Sequence, residues 1–193
     1  MTAVGAPIDA LEAELATERN RTRRLTGQLR NLADNDPITN LLSRRSMEHR
    51  LEEHLELCVR YGPQGAFLLV GLEGLDDIGR ALGQQEVDES LANIAEIMAH
   101  RLRATDVAGR WGPQELAVIV PRGPAAGVAV VADALDGIVR AAATPGVPAG
   151  SLSASIGVAP VVDGGVGASQ LAATAHHSMM TGRHRRVVTA APW

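Results

Sequence analysis

The chain has 193 residues, 46% hydrophobic and 21% charged, with a net charge of −4 at pH 7; this allows one sizeable core and an appendage in an ordinary globular protein. Only 2% of residues are aromatic (two Trp, one Tyr, one Phe), so neither stacking platforms nor a strong cationic field favours a nucleic-acid partner. The single cysteine, Cys58, excludes an internal disulfide, no Cys/His spacing resembles a zinc site, and no apolar run is long enough for a signal core or a membrane span, which makes cytoplasmic the expected location.

Residues 1–7 are small and carry Pro and Gly. From Ile8 an apolar stripe begins: Ile8, Leu11, Leu15, Leu25, Leu29 and Leu32 alternate spacings of three and four, with Glu18 and Thr22 in the two weak seam positions. The intervening residues are polar or charged, so the helix has only a narrow stripe to bury. That pattern predicts a coiled coil over 8–33 and a parallel homodimer through it. Asp34-Asn35-Asp36-Pro37 breaks the helix, because proline disfavours helix in the residue before it and Asp or Asn caps the next element.

A second amphipathic helix is expected over 43–61, with Met47, Leu51, Leu55 and Cys58 on one face, ended by Gly62-Pro63-Gln64-Gly65. The apolar run 66–72 predicts a strand buried on both faces. Helices are expected over 75–82 and 86–102, then a β-hairpin of 107–110 and 115–120 around Gly112-Pro113. A helix over 125–143, a strand over 152–160, a helix over 170–182 and a last strand over 186–189 complete the chain. The alternation predicts an α/β (α+β) sandwich, a mixed sheet flanked by helices. Two domains are expected: the helix 1–33 and a globular domain 34–193.

Four segments of this layout resemble the GGDEF family of diguanylate cyclases. Asp36-Pro37-Ile38-Thr39-Asn40-Leu41-Leu42-Ser43-Arg44-Arg45 is similar to the family's D-x-L-T-G-L-x-N-R-R. Gly71-Leu72-Glu73-Gly74-Leu75 through Leu82-Gly83 to Asp88 has the spacing of D-x-D-x-F-K-x-x-N-D-x-x-G-H-x-x-G-D. Arg110-Trp111-Gly112-Pro113-Gln114-Glu115-Leu116 stands at the place of R-x-G-G-D-E-F, and Ser155-Ile156-Gly157-Val158 resembles the family's S-I-G-V strand. The resemblance covers roughly residues 34–190 and implies a nucleotidyl-cyclase-like fold. It further implies a site for GTP and two magnesium ions, and cyclic di-GMP formed where two domains meet face to face.

Carried over residue by residue, the resemblance implies an altered site. The first-strand metal acid falls on Gly71, which offers only its carbonyl, and the first hairpin acid on Gln114, which carries no charge. The second hairpin glycine is Pro113, the lysine after the first strand is Asp76, and the guanine-reading asparagine is Gly79. Gly112, Glu115 and Asp88 survive, the last two as a nucleotide-binding remnant. Glu73, two residues beyond Gly71 on one strand face, is either a displaced ligand or the replacement of the family's second strand acid. The resulting expectation is a catalytically inactive domain, not an enzyme, without a cofactor; magnesium would enter only with residual cyclase activity. An active cyclase is the alternative.

Arg103-Ala104-Thr105-Asp106 has the position of the family's R-x-x-D inhibitory site, which implies cyclic di-GMP binding through Arg103 and Asp106. Against this, Arg103 suits a helix C-terminus and Asp106 suits a turn, and the place of a partner arginine falls near Ala134. His176, His177 and His184 cluster with Arg183, Arg185 and Arg186 but lack the acid or Cys of a metal site. Met179-Met180-Thr181-Gly182-Arg183-His184 matches the family's M-Y-x-A-K stretch poorly, and Trp111 reads as a packing residue. The expected role is in cyclic di-GMP signalling, as a cyclic di-GMP-binding effector or a dimeric module for a protein partner.

Overall fold

The computed structural model describes residues 15, 18, 19, 34–142, 146–148, 150–162 and 165–182. The chain divides into two compact units, 1–34 and 35–193. Of the expected coiled coil, Leu15, Glu18 and Arg19 are described, each helical and exposed. The other seam positions, the strand over 186–189 and His184 with its neighbouring arginines lie outside the described residues.

In the second unit, α1 (Arg44–Tyr61) starts at Ser43, whose hydroxyl accepts from Ser46 N–H. It buries Met47, Leu51, His54, Leu55 and Cys58, a stripe at spacings of three and four, and ends at Gly62, whose φ of 93° favours glycine. Next come β1 (Ala66–Glu73), α2 (Leu75–Ala81), α3 (Gln84–Arg101), β2 (Val107–Gly112) and β3 (Glu115–Val120). The chain continues through α4 (Ala125–Ala141), β4 (Ser153–Pro160) and α5 (Ala168–Met180).

The sheet order is β2-β3-β1-β4, and every pairing between these strands is antiparallel. The expected mixed sheet is corrected accordingly. β2 does run in the direction of β1, but β3 stands between them, so the two never pair. The one parallel contact among the described residues is the isolated bridge between Leu42 and Gly109.

Side-chain alternation sends β1 into two apolar layers. Leu68, Val70 and Leu72 join Leu91, Ile94, Met98 and Leu135 of α3 and α4. Phe67 and Leu69 join Met47, Leu51 and Cys58 of α1 and Leu171 and Ala175 of α5. Each large apolar side chain buried this way contributes about 1.5–3 kcal/mol relative to exposure. Gly157 lets α5 approach β4, because a Cβ there would run into the Ala175 carbonyl. The apolar layers therefore hold the ends of β1, β3 and β4 side by side, with α5 above them.

Candidate functional site

The strand register brings Gly71, Glu73 and Glu115, though not the other candidates, to one place. Gly71 pairs with Glu115 of β3 on one side and with Ser155 of β4 on the other. Alternation puts Gly71, Glu73 and Glu115 on the sheet face that carries Phe67, Leu69 and Ala117, under α1 and α5. The Glu73 carboxylate accepts hydrogen bonds from Ser153 Oγ at 3.1 Å and from Ser155 Oγ. It is thus anchored on β4, while Glu115 stands on β3. A Cβ at Gly71 would lie 3.0 Å from Met179 Sδ, so α5 holds a thioether over the position at which the resemblance implies a metal acid.

The hairpin has an unequal strand count. Arg110 pairs with Leu116 and Gly112 with Glu115, which leaves Trp111 as the extra residue of a bulge. The bulge turns Trp111 into the α1–α5 layer, edge-on to Phe67 at 5.1 Å between ring centroids. The Arg44 guanidinium lies 5.1 Å from the Trp111 ring centroid, and its Nε bonds Glu48 at 3.0 Å. A groove of about 460 Å³ runs from Trp111 and Glu115 along Glu48 and Glu52 of α1 to His176 of α5.

At the hairpin tip, Leu72 N–H donates to Gln114 O at 2.9 Å, and Gln114 Nε2 donates to Asp76 Oδ1. Gln114 and Asp76, two of the positions at which the resemblance implies an altered site, are therefore bonded to each other. Arg110 clamps the same tip: its NH2 group donates to Pro113 O at 2.8 Å and its Nε to Gly112 O at 3.1 Å. Its NH1 group bonds Asp36. The sequence marks Arg110 only by its motif position, and nothing in the linear pattern signals the Gln114–Asp76 contact.

The other candidates lie elsewhere. Asp88 is half-buried on α3 and accepts from Gln84 Nε2 at 2.9 Å, and Gly79 lies where a Cβ would be 3.3 Å from Val87. Asp106 N–H donates to Arg103 O at 2.9 Å, and Arg103 N–H donates to Asp106 Oδ2 at 3.1 Å. These two bonds close a turn immediately before β2, with Arg103 exposed. Ala134 lines a separate hollow of about 250 Å³ between α3 and α4, beside Arg101.

The residues present do not fit a metal held by the protein alone. Magnesium wants hard anionic oxygens in octahedral order, whereas Gly71 offers none and a soft sulfur lies over it. No cluster of three or more His, Cys, Asp or Glu among the described residues could hold a metal ion. No described helix is long and apolar enough to cross a membrane.

The family described as "Diguanylate cyclase, GGDEF domain" matches residues 33–187. DgcM of Escherichia coli, named a diguanylate cyclase, is 30% identical over 141 residues, 71% of this chain and 33% of its own length. YtrP of Bacillus subtilis, named as an uncharacterized protein, is 31% identical over 102 residues, 53% of this chain and 17% of its own. This chain thus spans about a third or less of the length of these two relatives. Among solved structures, the coiled coil and GGDEF domain of DgcB from Caulobacter crescentus, in complex with cyclic di-GMP, gives a TM-score of 0.83 at 19% identity. The match covers 94% of this chain and 96% of that one. The diguanylate cyclase SiaD of Pseudomonas aeruginosa, in complex with its activator SiaC, gives 0.74 at 25% identity, covering 94% and 70%.

The expectation that the chain is not an enzyme is corrected by these relatives, since several are named diguanylate cyclases and point to an enzyme. Gly71 and Gln114 carry that expectation, whereas Glu115 stands paired opposite Gly71 and Glu73 lies on the same sheet face. With its fold matched and the family match spanning 33–187, the chain belongs to the GGDEF family of diguanylate cyclase domains, the domains of cyclic di-GMP signalling.

Proposed function

We propose that the chain serves cyclic di-GMP signalling as a guanine-nucleotide-binding domain that takes cyclic di-GMP at the Arg103–Asp106 turn. The observation that carries this reading is the turn's closure by two reciprocal hydrogen bonds. A backbone held this way presents the exposed Arg103 side chain at little cost in ordering on binding. An arginine fork matches a phosphate or a guanine edge, and the Asp106 oxygen not used in the turn can accept from guanine N–H groups. The DgcB structure, solved with cyclic di-GMP, supports this ligand for a domain of the same fold. Equilibrium dialysis of labelled cyclic di-GMP against the wild type and Arg103→Ala tests it: retention by the wild type that the variant lacks supports the reading, and equal retention defeats it.

A second reading, cyclisation of GTP, is favoured by Glu115 holding its place opposite Gly71 and by the names of the relatives. Magnesium then arrives on the triphosphate as part of the substrate. Loss of a positioned acid or base costs about 10²–10⁴ in rate, so turnover is slow beside a site with all its acids. Chromatography of a GTP–magnesium incubation should show cyclic di-GMP that Glu115→Gln abolishes. A wild type that forms none defeats this reading and leaves the first standing.

The same proposal makes the chain a parallel dimer through residues 8–33, on the strength of the apolar seam in the sequence. SiaD, solved with its activator, supports a protein partner as a further role for such a domain.

A further inference from the structure

The groove between α1 and α5 is separate from the strand ends that carry Gly71. Its volume is about 460 Å³, and neither Gly71, Gln114 nor Asp88 borders it. Ala168, Ala172 and Ala173 keep it wide on the α5 side, because an alanine fills no space beyond its Cβ. Trp111 closes one end with a side chain that is 8% exposed. There the groove opens onto a smaller hollow beside Arg110, bordered by the same Trp111 and by Arg44.

The polar groups around this groove are unmatched within the chain. Three carboxylates border it, Glu48, Glu52 and Glu115, against one guanidinium, Arg44; His176 adds a charge only when protonated. Arg44 bonds Glu48 at 3.0 Å, which leaves Glu52 and Glu115 without an ion pair or hydrogen bond among the described residues. The Trp111 ring contacts Phe67 and Arg44, but its indole N–H donates to no acceptor among the described residues. That nitrogen is open to the surface: among the described residues the one sealed side-chain polar atom without a partner is Ser90 Oγ. A nearly buried indole with an open N–H holds a donor ready for an outside acceptor. The first turn of α5 adds more donors, since Ala168 and Ser169 border the groove and no side chain caps this helix start.

We propose that this groove docks an extended, arginine-bearing peptide segment of a partner protein. Two kinds of unmatched group select that ligand. The guanidinium forks onto Glu52 or Glu115, carboxylates that nothing in the chain engages. A backbone carbonyl of the same peptide accepts from the Trp111 indole N–H, which a simple cation does not do. The methylenes of the arginine lie along the alanine side of the groove. The groove's Trp111 end stands at the far end of β2 from the Arg103–Asp106 turn, and the proposal holds whether or not that turn binds cyclic di-GMP.

The test is fluorescence anisotropy of a fluorescein-labelled, amidated Gly-Arg-Gly-Arg-Gly peptide titrated with the full chain. The wild type should bind it saturably, and less tightly as salt is raised. Glu52→Gln and Glu115→Gln should each weaken binding about fivefold, the upper end for a partly exposed ion pair. Trp111→Phe keeps the ring, removes the N–H and should also weaken binding about fivefold. Arg44→Ala frees Glu48 and one face of the indole, so it should bind about fivefold tighter, a gain that a misfolded variant does not give. Trp193→Phe leaves Trp111 as the one tryptophan, whose emission should change over the same range of unlabelled peptide. Three results would each overturn the proposal: no saturable binding, equal binding of a peptide with citrulline in place of arginine, or a rise in anisotropy with Trp111 emission unchanged. Displacement of the peptide by arginine amide at the peptide's own concentration would overturn it too, making the groove a site for a small cation.

Discussion

Arg110 reaches across the fold to Asp36, its NH1 group 3.1 and 3.3 Å from the two carboxylate oxygens. The same guanidinium holds the carbonyls of Gly112 and Pro113. One side chain thus ties the turn through which the chain enters the globular unit to the tip of the hairpin. Asp36 is organised to receive it: its Oδ1 also accepts from Thr39 N–H and from the Thr39 hydroxyl, both at 2.9 Å. Burial acts to raise the Asp36 carboxyl, but the bonds from Thr39 and Arg110 outweigh it and hold the group below its ordinary 3.8.

Removing either partner should therefore destabilise the globular unit. Arg110→Ala and Asp36→Asn should each cost about 1.5–3 kcal/mol, the range for hydrogen bonds to a charged group, and the double variant should cost less than the sum. Because the folded Asp36 is depressed, its contribution is present above pH 3.8 and lost as pH falls through the lower folded value. Urea denaturation of the single and double variants checks this, and additive losses would mean the two residues act independently.

His54 gives a pH dependence in a higher range. It is buried on α1, with Nε2 3.0 Å from Gln64 O and 3.5 Å from Cys58 Sγ. Burial pushes the imidazole below its ordinary 6.5, only partly opposed by the bond to Gln64. The unfolded chain then binds the proton more readily. Stability is complete above pH 6.5 and declines as pH falls from there through the lowered folded value. His54→Gln keeps a donor for the carbonyl and cannot titrate in this range, so its stability should be flatter with pH. Thermal melts across the acid range that fall equally steeply for both proteins would contradict the assignment.

Gly71 and Met179 should be energetically coupled. Gly71→Asp must displace the Met179 thioether, at about 1–3 kcal/mol for overpacking. The same substitution made in a Met179→Ala background should cost less. Denaturation of the four proteins of this cycle gives the coupling, and equal costs in the two backgrounds would show that the sulfur does not stand in the way.

The seam over 8–33 predicts a dimer. A lone helix of that length would be marginal in water, so the Ile and Leu stripe in the sequence favours pairing. Light scattering should find the full chain dimeric at tens of micromolar and a chain starting at residue 34 monomeric. A monomeric full chain would refute the dimer, and a dimeric shortened chain would move the interface into the globular unit.

Much of the fold can be read from local pattern. The apolar run from Ala66 foretells a strand covered on both faces, and Met47, Leu51, Leu55 and Cys58 foretell the buried stripe of α1. The features that elude the linear pattern depend on partners distant in sequence. His54 joins that stripe because the Gln64 carbonyl reaches back to it, and polarity alone argues for the surface. Strand periodicity reports faces but not neighbours, so the placement of β3 between β1 and β2, and with it the all-antiparallel pairing, is not legible. Motif spacing singles out Gly71, Gln114 and Glu115 as candidates, and the strand register places Gly71 beside Glu115. The thioether above Gly71 and the Gln114–Asp76 bridge emerge only when α5, α2 and the hairpin are brought together.

Calorimetric titration with cyclic di-GMP measures binding at the turn before β2. Arg103→Ala removes a charge-assisted contact of about 1.5–3 kcal/mol and should weaken binding at least tenfold. Asp106→Ala should weaken it too, through the lost guanine acceptor and the opened turn. Saturable binding by the wild type, with this loss in both variants, is the expected result. No heat at high micromolar ligand, or wild-type affinity retained in both variants, would contradict it.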